Sequence, residues 1–201
     1  MPVRTHRWIP AHRHRPPDPV RRPGLLGTHG FRQLFVATAI SQVGSQLSLL
    51  ALPLVAVLAL HASTFEVGLL SACGTLGFLL IGLPAGAWVD RMRRRTVLIV
   101  ADLGRALVLS TVPLAAAVGA LSVTQLYAVA LTTGVLTVFF DVAYQSYLPQ
   151  LVGPERLAEG NARFEAARFS SQVTGPTIAG LVVQVLTAPV AVGLDALSFL
   201  G

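Results

Sequence analysis

Charge is scarce in this sequence, and the few charges inside its apolar runs are spaced so that they can meet. Asp102 and Arg105 stand three residues apart in an otherwise apolar stretch, a spacing that puts two side chains on one face of a helix. Asp141 belongs to a polar series, Thr133, Thr137, Asp141 and Tyr144, which draws one stripe down a helix built otherwise of Val, Leu, Ala and Phe. Gln42 and Gln46 share a face in a run that carries no charge. Ionised groups in hydrocarbon are costly unless they pair or face a wet cavity. Asp102, Arg105 and Asp141 are therefore candidates for two roles that both stay open: coupling to a proton, or locking helices together. Gln42 and Gln46 are candidates for lining a substrate path or for hydrogen bonding between helices, and Tyr144 and Gln172 join them as candidate substrate contacts.

The densest chemistry lies in Gly86-Ala-Trp-Val-Asp90-Arg91-Met-Arg93-Arg94-Arg95, between two apolar runs. Four arginines cannot be buried in hydrocarbon, so this turn must stand at a membrane surface. No His-x-x-Glu-His metal set, Gly-x-Ser-x-Gly elbow or phosphate loop is present, which argues against an enzyme and against a cofactor. The one cysteine, Cys73, excludes an intrachain disulfide and a cysteine-based metal site.

The elements that position these residues are membrane helices. Of 201 residues 53% are hydrophobic and only 12% charged, about half the charged fraction of a soluble domain. The net charge of +6 does not call for nucleic acid, because the arginines cluster beside apolar runs, where orientation rules put them. Spans are predicted at about 34–60, 67–89, 96–118, 124–148 and 166–188, with an incomplete sixth at 189–201. Ser63, Thr64 and Glu66 read as the start of the second span. Gly82 and Gly86 form a small-xxx-small pair suited to close helix contact. Pro53 and Pro176 are expected to bend the first and fifth spans, and residues 154–165 to form a short surface helix. Residues 1–30, rich in Arg, Pro and His (His6, His12, His14), are expected to be a disordered basic tail. With the N-terminus in the cytoplasm, every arginine-bearing loop lies inside and the loops at 61–66, 119–123 and near 188, which hold no arginine, lie outside. Asp102 and Asp141 then lie roughly 10 Å deep on the cytoplasmic side, and Arg105 could bridge them if the third and fourth spans are neighbours, so that exchanging Arg105 and Asp141 should rescue the single variants.

Gly86-x-x-x-Asp90-Arg91-x-x-Arg94-Arg95 resembles motif A of the major facilitator superfamily, and Gly175-Pro176-Thr-Ile-Ala-Gly180 is similar to the end of motif C of its exporter branch. The stretches Phe139–Pro149 and Leu194–Phe199 are similar to the branch that includes the bacterial enterobactin exporter and related transmembrane secretion effectors. Four positions depart from the pattern: Arg93 occupies the second motif A glycine, Ala179 replaces a motif C glycine, Ser171 stands where an earlier motif C glycine is usual, and the motif B arginine is missing from the fourth span. The resemblance implies an all-α integral membrane protein of the bacterial inner (plasma) membrane, the N-terminal six-helix bundle of a twelve-span fold with its sixth helix truncated. It implies a proton-coupled exporter of a small amphipathic molecule, siderophore- or drug-like, working by alternating access. Asp90, with Gly86, Arg91, Arg94 and Arg95, would then form a gate against the missing C-terminal half. Gly175, Pro176 and Gly180 would shape the fifth span against that half. The partners expected are a small-molecule substrate, the lipid bilayer and that half, with no metal. The alternatives are an inactive truncated half, a membrane interaction protein, or a half-transporter acting as a homodimer.

Overall fold

The computed structural model describes residues 25–200. Every regular element among them is helical: α1 (His29–Leu60), α2 (Thr64–Val89), α3 (Arg94–Ala117), α4 (Val123–Val152), α5 (Leu157–Leu186) and α6 (Ala188–Ser198), with 3-10 turns at Leu25–Gly27 and Pro154–Arg156. Most of the expected basic tail, including His6, His12 and His14, lies outside the described residues. Its last residues correct the expected boundary. Leu25, Phe31, Leu148 and Phe164 form one buried cluster, which carries the helix back through Arg32 and Gln33, two exposed residues that interrupt the apolar run.

Two helix starts have clear local causes. Ser63 caps α2 in a reciprocal box: its Oγ accepts from the Glu66 N–H at 3.3 Å, and its own N–H donates to Glu66 Oε2 at 2.7 Å. Ser122 caps α4 by accepting from the Gln125 N–H at 3.2 Å. The segment after α4 differs from expectation. No separate surface helix precedes the fifth span; after the Pro154–Arg156 turn the chain runs as one 30-residue helix, α5. Glu159 and Arg163 pair along its first turns at 3.1 Å, as their spacing predicts.

The helices α1 to α4 are long and apolar enough to cross a membrane. At about 1.5 Å per residue, α3, the shortest of them, is about 36 Å long. Helix α5 is about 45 Å long, but Ser170, Gln172, Thr174 and Thr177 dilute its apolar part. Helix α6, with 11 residues, reaches only about 16 Å.

The most extensive pairings are α2 with α4, α3 with α4, α1 with α6, α1 with α5 and α3 with α6. This pattern is unchanged when α1, α2 and α3 are exchanged for α4, α5 and α6, so the two halves of the bundle are packed equivalently. Such an internal repeat is a common way to build a transporter around a midplane site. The helix ends sort with it. One end gathers the start of α1, the α2–α3 turn and the α4–α5 connection, through the clusters around Phe31 and Val89 that share Leu34 and Tyr144. The other end gathers Leu60, Ala62, Leu121 and Ala188 around Ala51–Ala56. All arginines in the described connections thus lie at one end.

Close approach is concentrated where glycines face backbone. A Cβ on Gly77 would stand 2.6 Å from the Val135 nitrogen, and one on Gly134 would collide with the Gly74 carbonyl, so α2 and α4 cross with their backbones nearly touching. The pair expected to serve this purpose, Gly82 and Gly86, has open space at both positions. The contact sits about two turns nearer the start of α2, because α4 presents its own glycine there.

Candidate functional site: a charged cavity between the helices

The polar face of α4 and Arg105 of α3 converge on a cavity of about 470 Å³, open on one side and walled also by α1, α2 and α6. Helix α4 contributes Thr133, Thr137 and Asp141, and α1 contributes Ser45 and Ser48. The threonine hydroxyls are satisfied locally: Thr133 Oγ1 donates to the Val129 carbonyl at 2.7 Å, and Thr137 Oγ1 to the Thr133 carbonyl at 2.8 Å. They line the wall without needing a partner across it.

Arg105 reaches the cavity from α3 and is only 5% exposed. Its Nη2 donates to Asp102 Oδ1, the pair that the three-residue spacing predicts. Its guanidinium lies over Phe140 at 4.5 Å and over Phe199 at 4.2 Å, held between two ring faces from α4 and the end of α6. Asp141 lines the same cavity, and α3 and α4 are neighbours as the bridging idea required, but the direct partner of Arg105 is Asp102 on its own helix.

Asp195 of α6 also lines the cavity and is 1% exposed. Ser198 Oγ donates to its Oδ1 at 3.2 Å. Ser41 Oγ donates to the Ser198 carbonyl at 3.3 Å, tying α6 to α1. Gly44 makes this possible: a Cβ there would collide with Asp195 and Ser198. Sequence reasoning quoted Asp195 within a motif but did not single it out as an intramembrane charge. The signal was the same as for Asp102, a carboxylate in an apolar run.

The four candidate substrate contacts stand elsewhere. Gln46 packs on Gly175, where an added Cβ would lie 2.5 Å from the Gln46 Cβ and Cγ, so the motif C-like glycine serves the α1–α5 crossing. Tyr144 stacks on Phe140 and meets Phe164 edge-on at 4.9 Å. Its hydroxyl and the Gln42 amide oxygen are buried without a hydrogen bond among the described residues. Gln172, Pro176 and Gly180 are exposed on α5. None of these residues lines the cavity.

At the arginine turn, Asp90 and Arg94 approach to 3.7 Å, with the Asp90 side chain 68% exposed. The Asp90 N–H donates to the Gly86 carbonyl at 3.1 Å, closing α2. Arg91, Arg93 and Arg95 are exposed.

Helices of membrane-spanning length and apolarity thus surround a charge-lined cavity. A family model described as Major Facilitator Superfamily matches residues 34–201, and the chain belongs to that superfamily. It is 30% identical over 159 residues to the "Multidrug efflux pump Tap" of Mycolicibacterium fortuitum, a match covering 76% of this chain and 38% of that protein. It is 26% identical over 165 residues to the "Uncharacterized MFS-type transporter YfiS" of Bacillus subtilis (strain 168), covering 82% of this chain and 38% of that protein. The chain thus spans well under half the length of these relatives. No solved structure matches it.

Proposed function

We propose that the chain forms the N-terminal helical bundle of a twelve-span, proton-coupled exporter in a bacterial plasma membrane, moving a small amphipathic molecule by alternating access. The observation that carries this reading is the cavity: one guanidinium, Arg105, and two carboxylates, Asp141 and Asp195, line it among apolar helices, with Asp102 paired to Arg105 behind its wall. Charged groups held inside a bundle at such cost mark an ion or substrate pathway more often than a scaffold. Asp102 and Asp141 are the groups assigned to proton coupling. A relative named as a multidrug efflux pump supports the direction of transport and an amphipathic substrate.

The N-terminus is assigned to the cytoplasm, because all arginine-bearing connections gather at one end and membrane proteins retain such loops inside. A second six-helix bundle is assigned to the open side of the cavity, with Asp90 facing it at the arginine turn. The test is export by the full-length protein in inverted membrane vesicles. A fluorescent amphipathic cation should accumulate when a proton gradient is imposed and leak out when it is collapsed. Accumulation that ignores the gradient would overturn the coupling, and no accumulation of any amphipathic dye would overturn the export reading.

A further inference from the structure

A second concavity, of about 320 Å³, lies outside the bundle core, between the end of α2, the start of α3 and the middle of α4. Its walls are Trp88, Met92, Val97, Val100, Leu136 and Phe139. Trp88 stacks nearly parallel on Phe139, at 6.0 Å and 7°, which makes one wall flat and aromatic. Trp88, Met92 and Val100 are each more than half exposed, so the groove opens away from the protein. From Thr96 to Ala101 along α3 it runs for about 8 Å.

The mouth of this groove is the arginine turn. Trp88, Met92 and Thr96 line it, and Arg91, Arg93 and Arg95 alternate with them in sequence. Arg94 is engaged by Asp90. Arg91, Arg93 and Arg95 are exposed and make no ion pair or side-chain hydrogen bond with the described residues. Helix α3 begins at this turn with no side-chain cap, so the positive end of its dipole adds to the same field. An apolar slot that ends in three uncommitted guanidinium groups is complementary to one chemistry, an acyl chain that ends in a phosphate.

We propose that this groove is a binding site for a single anionic phospholipid, with one acyl chain between Trp88, Val100 and Phe139 and its phosphate on Arg91, Arg93 and Arg95. The site is separate from the charged cavity and does not depend on what is exported. It differs from general attraction to an anionic leaflet because the contact is at a fixed place and requires both the groove and the charges.

The sequence supplies the probe. The chain has two tryptophans, Trp8 and Trp88, so Trp8→Phe leaves Trp88 as the reporter in the groove wall. The full chain carrying that change is reconstituted in phosphatidylcholine vesicles, with a small fraction of phosphatidylglycerol brominated in its acyl chains. Bromine quenches indole fluorescence on contact. Quenching should show at least about a fivefold preference for brominated phosphatidylglycerol over brominated phosphatidylcholine, the ratio expected from even one arginine held at an anionic headgroup. Replacing Arg91, Arg93 and Arg95 together by Gln should abolish the preference, whereas replacing them by Lys should keep it, which separates lost charge from lost fold. Val100→Phe, at an outward position, should fill the groove and reduce quenching by both lipids. Soluble glycerol phosphate should not displace the brominated lipid. Equal quenching by the two lipids, a preference that survives the triple Gln change, or displacement by soluble phosphate would overturn the proposal. So would a Trp88 that no brominated lipid reaches, because the groove would then be covered by protein.

Discussion

Gly77 offers a stringent test of how this bundle is held together. It is buried on α2 at the crossing with α4, the most extensive helix pair in the molecule. In Gly77→Ala the new methyl would stand 2.6 Å from the Val135 nitrogen and 2.7 Å from the Gly134 carbonyl carbon. Both neighbours are backbone, so no rotamer change can relieve the clash. To reach ordinary contact the helices must part by roughly 0.8 Å, and a packed interface moved that far loses dispersion contacts along its length. Overpacking of this kind costs about 1–3 kcal/mol; a value near 2 kcal/mol is about a thirtyfold change in the folding equilibrium. The assay is unfolding in mixed micelles with increasing dodecyl sulfate, followed by far-ultraviolet circular dichroism. Gly82→Ala on the same helix is the control. A Cβ there meets nothing within 4 Å, so its stability should not fall below the parent and should rise by up to about 1 kcal/mol, the helix preference of Ala over Gly. If Gly77→Ala and Gly82→Ala unfold at the same midpoint, the α2–α4 crossing does not carry the bundle as described.

Arg105→Gln should destabilise the bundle by about 3–5 kcal/mol, because it leaves Asp102 without its partner in a largely buried setting. Arg105→Lys should recover only part of this, since an ammonium cannot lie flat between Phe140 and Phe199; thermal unfolding in detergent measures both. Exchanging Asp102 and Arg105 should rescue more stability than exchanging Arg105 and Asp141, and equal rescue would argue for the bridge between α3 and α4. Asp90→Asn should change stability by less than about 1 kcal/mol, because its contact with Arg94 is long and exposed. The same change should abolish gradient-driven export in inverted vesicles if Asp90 acts as a gate, and undiminished export would remove it from that role. Ser63→Ala should cost about 1 kcal/mol through loss of the cap on α2, read as a lower unfolding midpoint, with no change expected for Thr64→Ala.

Much of the architecture was legible because hydrocarbon imposes simple rules. Four of the predicted helices, α1 to α4, appear within a few residues of their expected limits, α5 begins well before its own, and the sixth, short segment is helical as well. Boundaries slipped where polar residues remain helical, at Arg32 and Gln33 in α1 and through the charged first turns of α5. An apolar-run criterion ends where polarity begins, whereas the backbone continues as long as its hydrogen bonds and one buried face are kept. The Asp102–Arg105 pair was legible for a different reason: spacing along one helix is fixed by helix geometry alone.

Partner choice between helices was not legible in the same way. Gly82 and Gly86 have the same spacing signature as a true crossing, yet the backbones meet at Gly74, Gly77 and Gly134. A small-residue pair is only half of such a contact, and the other half lies on a helix whose position one segment cannot reveal. The polar stripe on α4 divides for a similar reason. Thr133, Thr137 and Asp141 face the cavity, while Tyr144, one turn on, is drawn into the aromatic cluster with Phe140 and Phe164.

The sequence by itself determined that this is a helical membrane protein, where its helices run, which of its ends carry the positive charge, and, through the arginine turn, its superfamily. These properties follow from the cost of placing charge or unpaired backbone in hydrocarbon, which acts on each segment separately. Only the tertiary structure decided that Asp195 joins Asp141 and Arg105 around one cavity, and that Gln42, Gln46, Tyr144 and Gln172 do not line it. Those outcomes depend on which helices cross and at what depth. Close packing between distant parts of the chain settles both, and no single segment contains that information.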